Sequence, residues 1–216
     1  TLQTANGQVI AKNITSSENE VRLTGKYNVA AQTINAAGTV YISSSDDAVS
    51  ANGITSGENM SVNVLGKTGV TLNAGVNAGG DVLVQSTNGS ITTAGIAMGK
   101  YGTQVFLDAY NNITVSADIE TVGDNITVYG GNSGGSGHVN LYGHVRSIGA
   151  VGTGSLSNGA NGGAIDIRSF GGSISIAVGA TIASIGGAGF TGTGDSQASS
   201  GGNGGTIYLA AGTDMV

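Results

Sequence analysis

The chain has 216 residues with 40 Gly, no Pro, no Cys and no Trp, and its 7 Lys plus Arg against 13 Asp plus Glu give a formal net charge of -6. With no basic cluster there is nothing to neutralise a phosphate backbone, and with no Cys there is no disulfide or thiolate chemistry, which excludes nucleic-acid binding and a disulfide-stapled scaffold. No apolar run approaches the ~20 residues that span a bilayer, no charged segment followed by an apolar one opens the chain as a secretory leader would, and a 39% hydrophobic content spread evenly excludes a disordered polar chain.

The chain opens with "NGQVIAKNI" (6–14), which aligns with "NGSITTAGI" (88–96) much later, so it starts in phase with an internal repeat. From residue 21 a short alternating segment recurs: Val21-Arg22-Leu23, Val40-Tyr41-Ile42, Val62-Asn63-Val64, Val82-Leu83-Val84, Val105-Phe106-Leu107, Ile126-Thr127-Val128, Ile165-Asp166-Ile167 and Ile207-Tyr208-Leu209. Successive starts are 19, 22, 20, 23 and 21 residues apart up to Ile126, then 39 and 42. A second set follows the first seven of these at Val29, Val49, Val70, Ile91, Ile113, Val139 and Ile174, and a third at Ile34, Ile54, Val76, Ile96, Ile119, Val145 and Ile182.

Period-2 segments bounded by Gly, Asn and Asp, with no stretch of 3.6 periodicity, predict strands and no helix. Three short strands per turn of about twenty residues is the arithmetic of an all-β, right-handed parallel β-helix of about seven to eight coils, with inward residues stacked into apolar columns. The whole chain, 1–216, is expected to be one solenoid domain: tight coils over 1–129, then coils with Gly-rich insertions over 130–216. The insertions lie at 130–137, 149–163 and 186–205; glycine there tolerates positive φ and close backbone approach, so the chain is expected to leave the stack, loop outside its axis and re-enter at "GGAI" or "GGTI".

The phrases "GGNGGTIYLAAG", "GANGGAIDIRSFGG", "NGSITTAG" and "GGDVLVQSTNGSI", with the period near twenty, resemble the repeat region of filamentous haemagglutinin-type adhesins, secreted β-helical exoproteins of Gram-negative bacteria. The resemblance covers nearly the whole chain. It implies export through an outer-membrane partner barrel, a location outside the cell or on its surface, and a role in adhesion, aggregation or matrix. The family's secretion domain carries Asn-Pro motifs, and this chain has no Pro, so the resemblance points to an internal or downstream segment of a longer protein or fibre, or to a divergent relative that assembles differently.

Several strings match motifs of chemistry by letter only. Gly131-Asn132-Ser133-Gly134-Gly135 fits G-x-S-x-G but is followed by a strand segment where a nucleophile elbow needs a helix. Gly187, Gly189 and Gly192 fit G-x-G-x-x-G with no helix to present to a pyrophosphate. The calcium nonapeptide G-G-x-G-x-D is approached by "GGNGGTI", but Thr206 stands where Asp is needed. His138 and His144 lack a neighbouring carboxylate in sequence, and surface side chains are the simpler reading. No metal or other cofactor is implied.

The outward residues at the centres of the first strands read Arg22, Tyr41, Asn63, Leu83, Phe106, Thr127, Asp166 and Tyr208, without the paired carboxylates of a polysaccharide lyase or hydrolase. Asp46 and Asp47 fall at a turn, where Asp commonly bonds the local backbone. The second strands read Ala30, Ser50, Thr71, Thr92, Thr114, Asn140 and Ser175, without the Thr-x-Thr pairs of an ice-binding face. The candidate interaction face is Tyr41, Leu83, Phe106 and Tyr208, whose partner would be another copy, neighbouring coils of a longer fibre, a surface glycan or a host protein. The expectation is a non-catalytic structural or adhesive segment of a secreted surface or matrix protein; the alternatives are a self-assembling filament subunit and a β-helical carbohydrate-active enzyme.

Overall fold

The computed structural model describes residues 1–99, 103–153, 157–190 and 199–216. Among them, nine strands form one parallel sheet and thirteen a second, and the chain winds between the two as a β-solenoid. In the nine-stranded sheet the pairs Leu2↔Leu23, Val21↔Val40, Val40↔Val62, Val62↔Val82, Val82↔Val105 and Val105↔Ile126 mark six turns about 21 residues apart. Two lengthened turns follow, Ile126↔Ile165 and Ile165↔Ile207.

The register is the one the repeat predicts, because a slip of one residue would turn each apolar set outward. Val40, Val62, Val82, Val105 and Ile126 are each 0% exposed and form one column. A second inward column of the same sheet runs through Leu23, Ile42, Val64, Val84, Leu107, Val128 and Ile167. The second sheet adds the column from Val29 to Ile174 and the column from Ile34 to Val145. The opening residues pair Val9↔Val29 and Ile14↔Ile34, in the phase read from their sequence.

One detail differs from three separate strands per coil. In the first coils the second and third segments are one long strand, Val9–Ser16, Val29–Ala36 and Val49–Glu58, and they part only at Gly69–Leu72 and Val76–Gly79. At the first parted coil Gly75 takes a left-handed φ of +86, and Val70 and Val76 are six positions apart against five for Val49 and Ile54.

Corners bring backbone groups out of the strand ladder, and polar side chains of the preceding coil satisfy them. Asp81 Oδ1 accepts the N–H of Gln104 at 2.9 Å, and Asn125 Oδ1 accepts that of Ala164 at 2.9 Å. At the start of the second strands, Ser90 Oγ accepts the N–H of Asn112 at 3.3 Å, and Asn112 Oδ1 accepts that of His138 at 2.7 Å.

The Gly-rich insertions overturn one expectation. At 130–137 the glycines do supply left-handed backbone, with Gly131 at φ +75 and Gly134 at φ +92 around a short 3-10 turn, Asn132–Gly134. In the described parts of 149–163 and 186–205, by contrast, no glycine has a positive φ. There the backbones pack on one another: Gly187 N donates to Ala160 O at 2.8 Å, Gly202 N to Gly187 O at 2.8 Å, Gly159 N to Ser200 O at 3.0 Å and Gly152 N to Ala188 O at 2.9 Å. Asn158 Oδ1 and Asn161 Oδ1 accept the N–H groups of Ser200 and Asn203, at 3.0 and 2.9 Å. A Cβ on Gly187 would overlap the carbonyl of Ala150, and one on Gly202 the carbonyl of Ala160. The described parts of the two insertions therefore form a glycine-packed layer stacked in step with the coils, where free loops outside the axis were expected; 154–156 and 191–198 lie outside the described residues. Glycine is needed because main chain must approach main chain more closely than any side chain permits.

Candidate interaction face

The outward column read from the sequence is real: Arg22, Tyr41, Asn63, Leu83, Phe106, Thr127, Asp166 and Tyr208 are register partners in succession. Its four candidate residues are not one continuous stripe. Leu83 and Phe106 are neighbours, Asn63 separates Tyr41 from Leu83, and Thr127 and Asp166 separate Phe106 from Tyr208. Tyr208 is 51% exposed, while Tyr41, Leu83 and Phe106 are half-buried.

The parallel outward column two residues on completes the surface. It contains Leu65, Gln85, Asp108, Tyr129 and Arg168. At the N-terminal end, Arg22 lies 4.3 Å from the centroid of the Tyr41 ring, and a shallow cavity of about 200 Å³ is lined by Arg22, Tyr41, Asn63, Leu65, Leu83 and Gln85. At the other end Tyr129 is central: Phe106 meets it edge-on at 5.9 Å and Phe170 at 5.7 Å, the T-shaped geometry that ring quadrupoles favour. Arg168 bridges two rings, 5.2 Å from Tyr129 and 4.8 Å from Tyr208. Sequence reading missed Tyr129, Arg168 and Phe170; the position two residues beyond the outward centre of each first strand was the available signal for Tyr129 and Arg168, while Phe170, just past its strand, had none.

Asp166 ties this cluster together. Its carboxylate accepts Arg168 Nε at 2.8 Å and Nη2 at 2.7 Å, and the Tyr129 hydroxyl at 2.6 Å. Partial burial works against its ionisation, but the bonds from Arg168 and then Tyr129 outweigh burial and hold the carboxyl below its ordinary range. Burial, followed by the bond to Asp166, pushes the Tyr129 phenol up. The bond to Asp166 likewise raises Arg168.

The sign of the pH dependence follows. A lowered folded-state carboxyl stabilises the fold above the ordinary carboxylate range, and that contribution is lost as pH falls below about 4. A raised tyrosine contributes below its ordinary value of 10.0 and loses that contribution as the pH rises further. Thermal melting of wild type and Asp166→Asn should therefore differ most at about pH 6 and converge towards about pH 3. Parallel curves would remove Asp166 from the acid response.

Other residues singled out in the sequence also have partners. No family model, curated protein or solved structure matches this chain. Asp46 sits between Lys67 at 3.3 Å and Lys26 at 3.9 Å, and Asp47 Oδ1 accepts the N–H of Ala48 at 2.8 Å and the Thr68 hydroxyl at 3.1 Å. The G-x-S-x-G string is the 3-10 turn between strands Asn125–Gly130 and Gly137–Leu141. Of the G-x-G-x-x-G string, Gly192 lies outside the described residues. His138 and His144 stand on separate corners, each with Nδ1 engaged by the coil above: His138 by Ser173 and His144 by Thr181. Among the described residues no group of three or more His, Cys, Asp or Glu converges as metal ligands would. The threonine column Thr71, Thr92, Thr114 pairs in register on the other sheet. The chemistry the described face offers is aromatic and guanidinium contact beside hydrogen-bonding amides.

Proposed function

We propose that this chain is a non-catalytic coil segment of a secreted bacterial surface or matrix protein, in which the solenoid serves as fibre or stalk and the aromatic face makes lateral contacts. The observation carrying this reading is the unbroken parallel stacking of the nine-stranded sheet from Leu2–Gln3 to Ile207–Ala211, a stack in which each described coil rests on its neighbours as the units of a fibre or stalk do. A strand edge at the end of such a stack is a site where a second copy can pair. Support for the location comes from the sequence resemblance.

The test is electron microscopy of the purified segment at increasing concentration, alongside Phe106→Asp and a fusion carrying a polar helix after Val216. End-on filaments blocked by the fused helix are expected. Dispersed monomers at high concentration would refute self-assembly of the segment, and filaments that survive the helix but not Phe106→Asp would move the main contact to the aromatic face.

A further inference from the structure

Asn-Gly pairs punctuate the chain at Asn6, Asn52, Asn88, Asn158, Asn161 and Asn203. Such a pair can modify itself, because glycine has no side chain to keep its amide nitrogen away from the carbonyl carbon of the preceding asparagine side chain. Ring closure needs two freedoms. The asparagine side chain must swing over the following amide, and no acceptor must hold the glycine N–H. Stacking removes both freedoms at some pairs and leaves both at another.

Asn158 and Asn161 are each held twice by the coil above. Asn158 Oδ1 accepts the N–H of Ser200 at 3.0 Å while Gly159 N donates to Ser200 O at 3.0 Å. Asn161 Oδ1 accepts the N–H of Asn203 at 2.9 Å while Gly162 N donates to Asn203 O at 2.8 Å. Asn52 lies inside strand Val49–Glu58, with its Oδ1 bonded by Asn73 Nδ2 at 3.1 Å and Gly53 paired with Thr33. At Asn88 these restraints are missing. Its side chain is exposed and has no hydrogen bond among the described residues, and neither has the Gly89 N–H. The corner itself is fastened, since Asn88 N donates to Lys67 O at 2.8 Å and Asn111 N to Gly89 O at 2.9 Å. Unlike Asn6 and Asn203, Asn88 has described coils well to either side, so its openness belongs to this corner.

We propose that Asn88 is a self-modification site, which converts to aspartate and isoaspartate while Asn52, Asn158 and Asn161 stay intact. The Gly89 nitrogen attacks Asn88 Cγ and a C–N bond closes a cyclic imide. The Cγ–Nδ2 bond breaks, and its nitrogen leaves as ammonia with the proton given up by the Gly89 N–H. Water, the only co-reactant, then opens the imide. Cleavage between the Gly89 nitrogen and Cγ gives aspartate; cleavage between that nitrogen and the main-chain carbonyl carbon of Asn88 gives isoaspartate, whose main chain runs through the former side chain. Either product places a new carboxylate on this corner. Isoaspartate also inserts one main-chain atom between the bonds that tie the corner to Lys67 and Asn111.

Mass spectrometry of the folded chain aged in neutral buffer tests this. Trypsin, applied after ageing and unfolding, puts the sites in different peptides: Asn52 in 27–67, Asn88 in 68–100, and Asn158 with Asn161 in 147–168. In the folded chain the amide-to-acid mass change should be at least about tenfold more frequent in 68–100 than in the other two, because the closed pairs must first open locally. Fragmentation should place it at Asn88, and the product should elute as two species. The chain aged unfolded in denaturant should lose the difference, with Asn158 and Asn161 converting alongside Asn88. Asn88→Gln keeps an amide but lengthens the side chain, and should silence 68–100 without moving the thermal midpoint. Equal conversion of the three peptides in the folded chain, an intact 68–100 peptide under conditions where the unfolded chain converts, or conversion of 68–100 that persists in Asn88→Gln would overturn the proposal.

Discussion

Val82→Asp should lower the thermal midpoint by about 10 °C and split the melt into two phases. Val82 is 0% exposed and lies mid-column between Val62 and Val105, so no water or cationic partner can reach a carboxylate placed there. An unpaired polar or charged group in a dry column costs about 4 kcal/mol, and for a chain of this length each kcal/mol moves the midpoint by about 2–4 °C. The split follows from topology. Each coil touches only its neighbours, so damage at the middle uncouples the coils before it from the coils after it without unfolding either directly. Calorimetry with hydrogen exchange resolved by coil reads both effects; a single cooperative melt at the wild-type temperature would contradict the stacked-column account.

Gly187→Ala should destabilise the glycine-packed layer of the C-terminal half. The added Cβ would overlap the carbonyl of Ala150, which is main chain and can yield only if the whole layer shifts. Forced overpacking of this kind costs about 1–3 kcal/mol, and here the loss should fall locally, on the amides of Gly159, Gly187 and Gly202, which bond across the layer. The control is Gly53→Ala, where the new methyl meets only Ala74 Cβ, at an ordinary 3.8 Å. That change should stay within about 0.5 kcal/mol of wild type. Equal effects at the two sites, or an unchanged exchange pattern in Gly187→Ala, would mean that the insertions are loops after all.

The contrast between these two glycines explains where sequence reading succeeds and where it stops. Residues such as Val62 and Val64 announce their place because alternation leaves one face of a strand apolar, and the regular interval to Val82 and Val84 dictates which coil covers them. The outward column from Arg22 to Tyr208 is legible for the same reason. Glycine carries no such mark. The same letter serves a left-handed turn at Gly131 and a main-chain contact at Gly187, and only the neighbouring backbone distinguishes them.

Side-chain partnerships across long intervals were equally hidden. Asp166 and Tyr129 are 37 residues apart, His144 and Thr181 also 37, and the insertions that set these distances have no fixed length. The sequence by itself determined the solenoid, its register and its inward columns, because burying apolar side chains at a repeated interval has one stacked solution for a chain of alternating strands. Only the tertiary structure decided that the glycine insertions pack as a layer, that Tyr129, Asp166 and Arg168 gather on the outward face, and that each histidine bonds the coil above it, because these depend on which surfaces stacking brings within hydrogen-bond reach.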